Sequence, residues 1–222
     1  MQVAENFDVA VDGIEDGMTV LIGGFGDCGM PKQLIDSLVE RGPTNLTVVA
    51  NNAGTGDVGI AKMLAAGMVA KIVCSFPRQA GSHFFNELYR NGQIELELVP
   101  QGTLNERIRA GGAGVLGFYT STGVGTVLTQ DREVRSFGDR VGVLELPIHG
   151  DVALVKAKIS DTMGNLVYSA TARANNPVMC TAADLTVVEV DEVVAAGSID
   201  PEVVITPGLY VDRVSALSRK EA

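Results

Sequence analysis

With 222 residues, 46% of them hydrophobic and 20% charged, the chain can bury one large core and is too apolar to be disordered. Seventeen Lys and Arg against 27 Asp and Glu give a formal net charge of −10, which argues against nucleic acid or an anionic membrane surface as a partner. Glycine supplies 26 residues, an unusually high number that indicates many turns and loops lined by backbone.

The sequence carries no targeting or redox signal. Residues 1–10 include two acidic and no basic side chains, so we expect no signal peptide, and no apolar run reaches the ~18 residues of a membrane span. Cys28, Cys74 and Cys180 are odd in number and widely spaced, which favours reduced thiols. CxxC and HExxH motifs are absent, so we expect a cytoplasmic protein without a metal site.

The first half of the chain alternates predicted strands with predicted helices. Hydrophobic periodicity predicts strands at 20–22, 46–50, 71–74 and 94–99, and helices at 3–11, 32–40, 60–68, 82–90 and 103–110. Short connections separate these elements, as where Gly42 and Pro43 end the second helix. Such alternation is typical of a parallel sheet with helices on both faces.

The second half departs from this alternation. Segment 111–125, rich in Gly, Ser and Thr, is too long for an ordinary connection and so suggests a functional loop. A hairpin turn at Gly138, between strands at 132–137 and 141–146, indicates an antiparallel section. The predicted fold is thus one α/β domain over 1–222, a mostly parallel open sheet with helices on both faces and a mixed or antiparallel section in the C-terminal half. The remaining predictions are strands at 151–159, 185–190 and 209–214, a helix at 176–183 and a frayed tail at 215–222.

A glycine-rich loop follows the first buried strand. Its residues are Gly23, Gly24, Phe25, Gly26, Asp27, Cys28 and Gly29. Glycines allow positive φ and a close approach of a ligand to the backbone. Pro31 then opens the next helix, and unpaired N–H groups at a helix start favour an anion. The loop is therefore a candidate anion cradle.

The spacing Gly24-x-Gly26-x-x-Gly29 also matches the dinucleotide-binding fingerprint, which makes NAD an alternative occupant. That fingerprint requires an acidic residue about 20 positions further on, at the end of the second strand, to bind a ribose hydroxyl. The second strand here ends in Asn51 and Asn52, which carry no charge. The residues therefore argue against NAD.

Two further polar segments, 51–59 and 100–102, also follow predicted strands. Because ligands of parallel sheets bind beyond the carboxyl ends of the strands, we expect these segments and the glycine loop to converge on one site. Asn51, Asn52 and Gln101 would supply uncharged donors there. Such amides suit binding or oxyanion stabilisation, but they cannot act as a general base or nucleophile.

Other candidate catalytic residues lack partners in the sequence. His83 and His149 stand alone, which favours structural or surface roles. Cys28 lies before a helix start, where reactive thiolates occur, but no histidine partner is evident. Arg78 could hold a carboxylate or phosphate through its planar guanidinium, or could be a solvated loop residue. The chain thus contains a binding cradle without an evident nucleophile.

A composite motif surrounds the glycine loop. It reads Asp16-Gly17, then Val20-Leu-Ile-Gly-Gly-Phe25, three residues, and Gly29-x-Pro31. This motif resembles the signature of the A (alpha) subunits of family I coenzyme A transferases, and the resemblance extends over nearly the whole chain. Further matching segments are 51–54, 94–102, 106–114, 164–166 and 205–208.

The resemblance implies a two-chain enzyme. In this family the B subunit carries a glutamate, in a Ser-Glu-Asn-Gly motif, that attacks the acyl-CoA and forms an anhydride and then a glutamyl-CoA thioester. That motif is absent here, so we expect no catalytic residue in this chain, and a heterodimer or heterotetramer with the B subunit. By resemblance, the loop 23–29 would bind CoA, and Asn51, Asn52 and Gln101 would bind the substrate. CoA thioester would be a substrate, and no cofactor would be permanently bound.

Two segments, Asn51-Asn-Ala-Gly54 and Cys74-Ser-Phe-Pro-Arg-Gln79, resemble the family members that transfer CoA from succinyl-CoA to 3-oxoadipate. Met163 departs from the Trp common at that position, so acetoacetate or another short 3-oxoacid is an alternative acceptor. An alternative of a different class is a non-catalytic phosphate- or nucleotide-binding α/β protein. We also predict that segment 111–125 contributes to the surface that meets the B subunit.

Overall fold

An eight-stranded sheet forms the centre of the computed structural model, which describes residues 1–217. The strands in chain order are β1 (Gln2–Val3), β2 (Thr19–Ile22), β3 (Leu46–Asn52), β4 (Val69–Phe76), β5 (Glu95–Leu98), β6 (Phe118–Thr120), β7 (Val134–Phe137), β8 (Arg140–Glu145), β9 (Gly150–Lys156), β10 (Ile159–Asp161), β11 (Leu166–Val167), β12 (Ala183–Val190), β13 (Glu192–Val194) and β14 (Arg213–Ala216). The spatial order of the central sheet is β1-β14-β12-β9-β2-β3-β4-β5, and its neighbouring strands all pair in parallel.

Six α-helices accompany these strands within residues 1–217, and none of them is long and apolar enough to cross a membrane. They are α1 (Phe7–Ala10), α2 (Lys32–Arg41), α3 (Ile60–Ala65), α4 (His83–Arg90), α5 (Gln101–Gly112) and α6 (Asn176–Cys180). The predicted helix at 3–11 is therefore wrong at its start, because residues 2–3 pair with β14 as a strand.

The order of the strands reverses between β2 and β9. From β2 the chain proceeds through β3 and β4 to β5 at one edge, whereas from β9 it proceeds through β12 to β14 towards the other edge. In parallel sheets the crevice at such a reversal, beyond the carboxyl ends of the strands, is the usual ligand site. The glycine loop after β2 lies at this point.

Side chains alternate between two cores, one on each face of the sheet. Val20 and Ile22 join the core covered by α2, α3 and α4, while Leu21 between them joins the core covered by α5 and α6. In α2 the fully buried Leu34, Ile35 and Leu38 recur at helical spacing, and burial of such side chains stabilises by about 1.5–3 kcal/mol each. The prediction of a parallel sheet with helices on both faces is confirmed.

Two small sheets account for the predicted mixed section. One is antiparallel, in the order β6-β8-β7, and the other joins β10 to β11 antiparallel and to β13 in parallel. The prediction of one long loop at 111–125 is wrong, because Phe118–Thr120 pairs with β8 as a strand. Segment 111–125 has too few residues between its glycines to show a clear period-2 pattern, so the sequence did not reveal this strand.

Towards the C-terminus, the observed boundaries of the strands differ from the predicted ones. The predicted strand 151–159 divides into β9 and β10, since Lys158 N already bonds to Val167 O outside the central sheet. The last strand begins at Arg213 instead of 209 because residues 208–210 form a 3₁₀ turn. Ser215 is 1% exposed and pairs with Glu189, so the tail is ordered further than predicted. Residues 218–222 of that predicted frayed tail lie outside the described residues.

Asp161 holds the turn between β10 and β11. Its Oδ1 accepts from the backbone N–H groups of Met163 and Asn165 at 2.9 Å each, and its Oδ2 accepts from Asn165 Nδ2 at 2.8 Å. Burial alone would raise the pKa of Asp161, but these hydrogen bonds and one from Gly164 N–H together lower it below 3.8.

We expect Asp161→Asn to lower the free energy of unfolding by about 1.5 kcal/mol at pH 7. The new side chain carries no charge, and its NH₂ group faces an N–H donor where Asp161 has an accepting oxygen. Since the folded-state pKa is lowered, this stabilisation is present above pH 3.8 and is lost as the pH falls through the folded-state value. In urea unfolding, the difference in free energy of unfolding between wild type and Asp161→Asn should be equal at pH 7 and 5.5 and smaller below pH 3.8. Exposed Asp139→Asn is the control, and a difference independent of pH would contradict the lowered pKa.

Candidate functional site

Three polar segments meet beyond the carboxyl ends of β2 and β3. Gly26 N–H in the glycine loop donates to Asn51 Oδ1 at 3.1 Å, and Asn51 Nδ2 donates to Gln101 Oε1 at 2.8 Å. Asn51 belongs to the end of β3 and Gln101 is the first residue of α5, whereas the sequence predicts loops at both positions. The expected convergence of the glycine loop with segments 51–59 and 100–102 therefore exists in the structure.

The glycine loop is a tight turn closed by two backbone hydrogen bonds. Phe25 N donates to Cys28 O at 2.9 Å, and Cys28 N donates to Phe25 O at 3.2 Å. Gly26 at the tip has φ +59°, a left-handed conformation that L side chains rarely adopt. Phe25 and Cys28 are exposed, so the loop presents its tip and one aromatic ring to solvent.

Asn176, at the start of α6, ties the base of the loop to the rest of the molecule. Its Nδ2 donates to Gly29 O and Ala172 O at 2.9 Å each, and its Oδ1 accepts from Lys156 N at 2.9 Å. A Cβ on Gly23 would lie 1.7 Å from Asn176 Oδ1. Glycine at position 23 is thus required by the buried amide that packs against it.

Asn175 and Ser75 complete the polar cluster. Asn175 Nδ2 donates to Gly24 O at 2.7 Å, and its Oδ1 accepts from Gln101 Nε2 at 3.3 Å. The Ser75 hydroxyl, one residue beyond the buried part of β4, hydrogen-bonds to Gln101 Oε1 and to Asn51 O. The Ser75 hydroxyl has only amide and peptide oxygens as acceptors and no base to activate it, so the cluster can hold and polarise a ligand but offers no activated nucleophile.

Asn52 supports this cluster from behind. It is 3% exposed, its Oδ1 accepts from Gly54 N at 2.8 Å, and its Nδ2 donates to Asn51 Oδ1 at 3.3 Å. Its polar atoms are therefore engaged within the protein, whereas Gln101 is half-buried at the surface of the cluster.

The N-terminus of α2 is not free for an anion, and this part of the prediction is wrong. Glu189 Oε2 accepts from the N–H groups of Gln33 and Leu34 at 2.8 and 3.3 Å, so the chain's own carboxylate fills the position. Burial raises the pKa of Glu189, although Lys156 Nζ, 3.3 Å from Oε1, opposes the shift. The anion-binding capacity of the loop must come from its own backbone and the amide cluster.

A cavity of about 300 Å³ opens on the other side of the loop, at the end of β9. Cys28 and Gly29 form one wall, and the 3₁₀ turn that contains Ala170 forms another. Lys156 and Lys158 also line it. Ala170 adopts φ +43°, an uncommon conformation for a residue with a Cβ.

The isolated histidines and Arg78 have local partners. His83 Nδ1 lies 3.0 Å from Gly81 O, and His149 Nε2 lies 3.9 Å from an Asp184 carboxylate oxygen. Arg78 is exposed, and its guanidinium carbon lies over the Tyr89 ring, 5.4 Å from the ring centroid. None of these contacts belongs to the amide cluster.

The three thiols differ in access. Cys28 is exposed on the loop, whereas Cys74 and Cys180 are buried, and burial raises the pKa of each buried thiol to about 12. Among residues 1–217, no group of three or more His, Cys, Asp or Glu is placed to hold a metal ion.

The model of the coenzyme A transferase family matches residues 4–217. The chain belongs to the coenzyme A transferase family. It is 51% identical over 214 residues to the A subunit of the 3-oxoadipate CoA-transferase of Pseudomonas putida, a match that covers 96% of this chain and 93% of that one. It is 54% identical over 205 residues to the corresponding subunit of Acinetobacter baylyi, covering 92% and 90%.

A solved acyl-CoA transferase from Escherichia coli O157:H7 shares the fold, with a TM-score of 0.83 at 21% sequence identity. The match covers 97% of the present coenzyme A transferase chain and 47% of the solved one. This chain therefore spans about half the length of that protein.

Sequence reasoning missed three members of the site of this coenzyme A transferase chain: Ser75, Asn175 and Asn176. Ser75 directly follows a predicted strand, which was a usable signal for a position at the carboxyl edge of the sheet. The pair Asn175-Asn176 precedes Pro177, a typical helix start where asparagines commonly cap, so the sequence carries no signal of a contact with the glycine loop. In the structure Asn175, the residue in the N-cap position of α6, makes no side-chain cap.

Proposed function

We propose that this chain is the A subunit of a two-chain enzyme that transfers CoA from succinyl-CoA to 3-oxoadipate. The main support is the identity of 51–54%, over nearly full length, to two proteins named as the A subunit of 3-oxoadipate CoA-transferases. The neutral character of the amide cluster agrees with this assignment, because a site without its own nucleophile needs one from a partner. That partner is a B subunit, in a heterodimer or heterotetramer.

The proposed reaction runs through a glutamate of the B subunit. Its carboxylate attacks the succinyl-CoA carbonyl and expels CoA thiolate, which leaves a mixed anhydride. The thiolate then attacks the glutamyl carbonyl, so that succinate leaves and a glutamyl-CoA thioester remains. A 3-oxoadipate carboxylate reverses both steps, giving 3-oxoadipyl-CoA and free glutamate.

In this scheme Asn51 and Gln101 bind the substrate carboxylate or the oxyanion that develops as each carbonyl is attacked. Removal of one such donor typically costs about 10²–10³ in kcat. The glycine loop binds the CoA moiety through its exposed backbone. The adjoining cavity at the end of β9 is lined by Lys158 and by Lys156, whose Nζ already pairs with Asp191 at 2.6 Å and with Glu189 at 3.3 Å. Lys158 is therefore the cation that we propose to meet a phosphate of CoA. CoA is a substrate here, and we propose no resident cofactor.

The test is to co-express this chain with its B-subunit partner and to assay CoA transfer from succinyl-CoA to 3-oxoadipate and, separately, to acetoacetate. We expect turnover on 3-oxoadipate by the complex and none by either chain alone. Turnover on acetoacetate alone would replace the acceptor and keep the chemistry. Transfer by the rigorously pure chain would refute the division of labour between two chains, and a complex inactive on both acids would refute the proposal.

A further inference from the structure

The carboxamides of Asn51, Gln101 and Asn175 form a chain of hydrogen bonds that starts and ends on the glycine loop. From one end, Gly26 N–H donates to Asn51 Oδ1 at 3.1 Å, and Asn51 Nδ2 donates to Gln101 Oε1 at 2.8 Å. Gln101 Nε2 then donates to Asn175 Oδ1 at 3.3 Å, and Asn175 Nδ2 donates to Gly24 O at 2.7 Å. These bonds thus join two backbone groups that lie close together in the loop.

Those two backbone groups fix the direction of the chain. A carbonyl oxygen only accepts, so Asn175 must turn its NH₂ towards Gly24 and its oxygen towards Gln101. Gln101 must then offer its NH₂ to Asn175 and its oxygen to Asn51. The peptide N–H of Gly26 only donates, which requires the same orientation of Asn51 from the opposite end. Each amide therefore has a single orientation that satisfies all its neighbours.

Burial makes the reversed orientation costly. Asn175 is 1% exposed and Asn51 is 7% exposed, so water cannot replace a mismatched partner at either residue. Gln101 is half-buried, and its Nε2 makes a further, long contact of 3.4 Å with Asn105 Oδ1. That weakly held N–H is the donor that Gln101 can offer to a ligand, provided Asn175 holds the amide in this orientation.

We propose that Asn175 is a positioning residue for the transferase reaction. It orients Gln101 so that the weakly held N–H of that side chain faces the carboxylate of the substrate, and through Gln101 it holds Asn51, whose Oδ1 fixes the loop amide of Gly26. Asn175 is buried and acts without touching the substrate. This inference rests on the proposed function, because it takes Gln101 and Asn51 to be groups that meet the substrate.

The test uses two substitutions in the complex assembled with the B subunit. Asn175→Leu is close to asparagine in size but has neither the acceptor for Gln101 Nε2 nor the donor to Gly24 O, so it removes the direction of the chain, and Asn175→Ala is the second variant in case the larger side chain impairs folding. We expect either to raise KM for both carboxylic acids at least about ten-fold. A purely structural role would reduce the amount of active enzyme, and hence kcat, at unchanged KM. The control Asn105→Ala, which touches Gln101 outside the chain of amides, should leave KM within about two-fold or lower it.

Hydrogen exchange gives a measurement that does not depend on the identity of the substrate. In the same complexes, exchange of the 23–29 segment should be at least about five-fold faster in Asn175→Ala than in wild type or Asn105→Ala, because Gly26 N–H loses its fixed acceptor. If the wild-type complex transfers CoA, unchanged KM in a folded Asn175 variant overturns the proposal. If it does not, the proposed function fails, and unchanged exchange then overturns the inference separately.

Discussion

Replacing Gly23 by alanine is expected to lower CoA transfer at least about 100-fold and to reduce the free energy of unfolding by about 3 kcal/mol. The new Cβ would lie 1.7 Å from Asn176 Oδ1 and 2.6 Å from its Cγ, far inside van der Waals contact. Asn176 is fully buried and makes three hydrogen bonds, so it cannot move aside without leaving Gly29 O, Ala172 O and Lys156 N unpaired. The alternative is displacement of the glycine loop itself.

The same substitution at Gly102 is a matched control. Gly102 lies in α5, and a Cβ added there would meet no atom within 4 Å, so alanine fits and favours the helix. We expect Gly102→Ala to leave the free energy of unfolding unchanged or to raise it by about 0.5–1 kcal/mol. Urea unfolding of both variants, with CoA transfer by the complexes, makes the comparison. Wild-type stability and activity of Gly23→Ala would show that Asn176 does not fix the loop.

Periodicity was sufficient to predict the elements of the central sheet because each depends on neighbours in the chain. Leu34, Ile35 and Leu38 indicate a helix face within a short segment, and the run at 20–22 indicates a strand. The order of strands follows from contacts such as Val20 with Val152, which no local pattern contains. The reversal between β2 and β9, which places the site, was therefore out of reach of periodicity alone.

The same distinction separates the predicted from the unpredicted part of the site. Asn51 and Gln101 could be predicted from the sequence because amides directly after apolar runs mark the carboxyl edge of a parallel sheet. Asn175 bonds to Gly24 across 151 positions, and Glu189 reaches the start of α2 from 156 positions away. The general rule that a helix start attracts an anion was sound, but the anion proved to be a side chain of the protein.

Removal of Glu189 should therefore damage the fold. We expect Glu189→Ala to lower the free energy of unfolding by about 3 kcal/mol, because it leaves the N–H groups of Gln33 and Leu34 without an acceptor and deprives Lys156 of one partner. Glu40→Ala, in the last turn of the same helix, should change it by less than about 0.5 kcal/mol. Equal losses in the two variants by urea unfolding would show that the carboxylate does not stabilise the start of α2.

Glu189→Gln separates the cap from the charge. The amide oxygen can still accept from Gln33 and Leu34, while no ionised group has to be buried. Because burial raises the folded-state pKa of Glu189 above 4.5, the stability that this group contributes is fully present below pH 4.5 and falls as the pH rises through the raised value. The free energy of unfolding of Glu189→Gln minus that of wild type should therefore increase as the pH is raised from 4.5 to about 8. A difference that stays constant over this range in urea unfolding would mean that Glu189 ionises alike in the folded and unfolded chain, and that Lys156 and the helix N–H groups fully offset its burial.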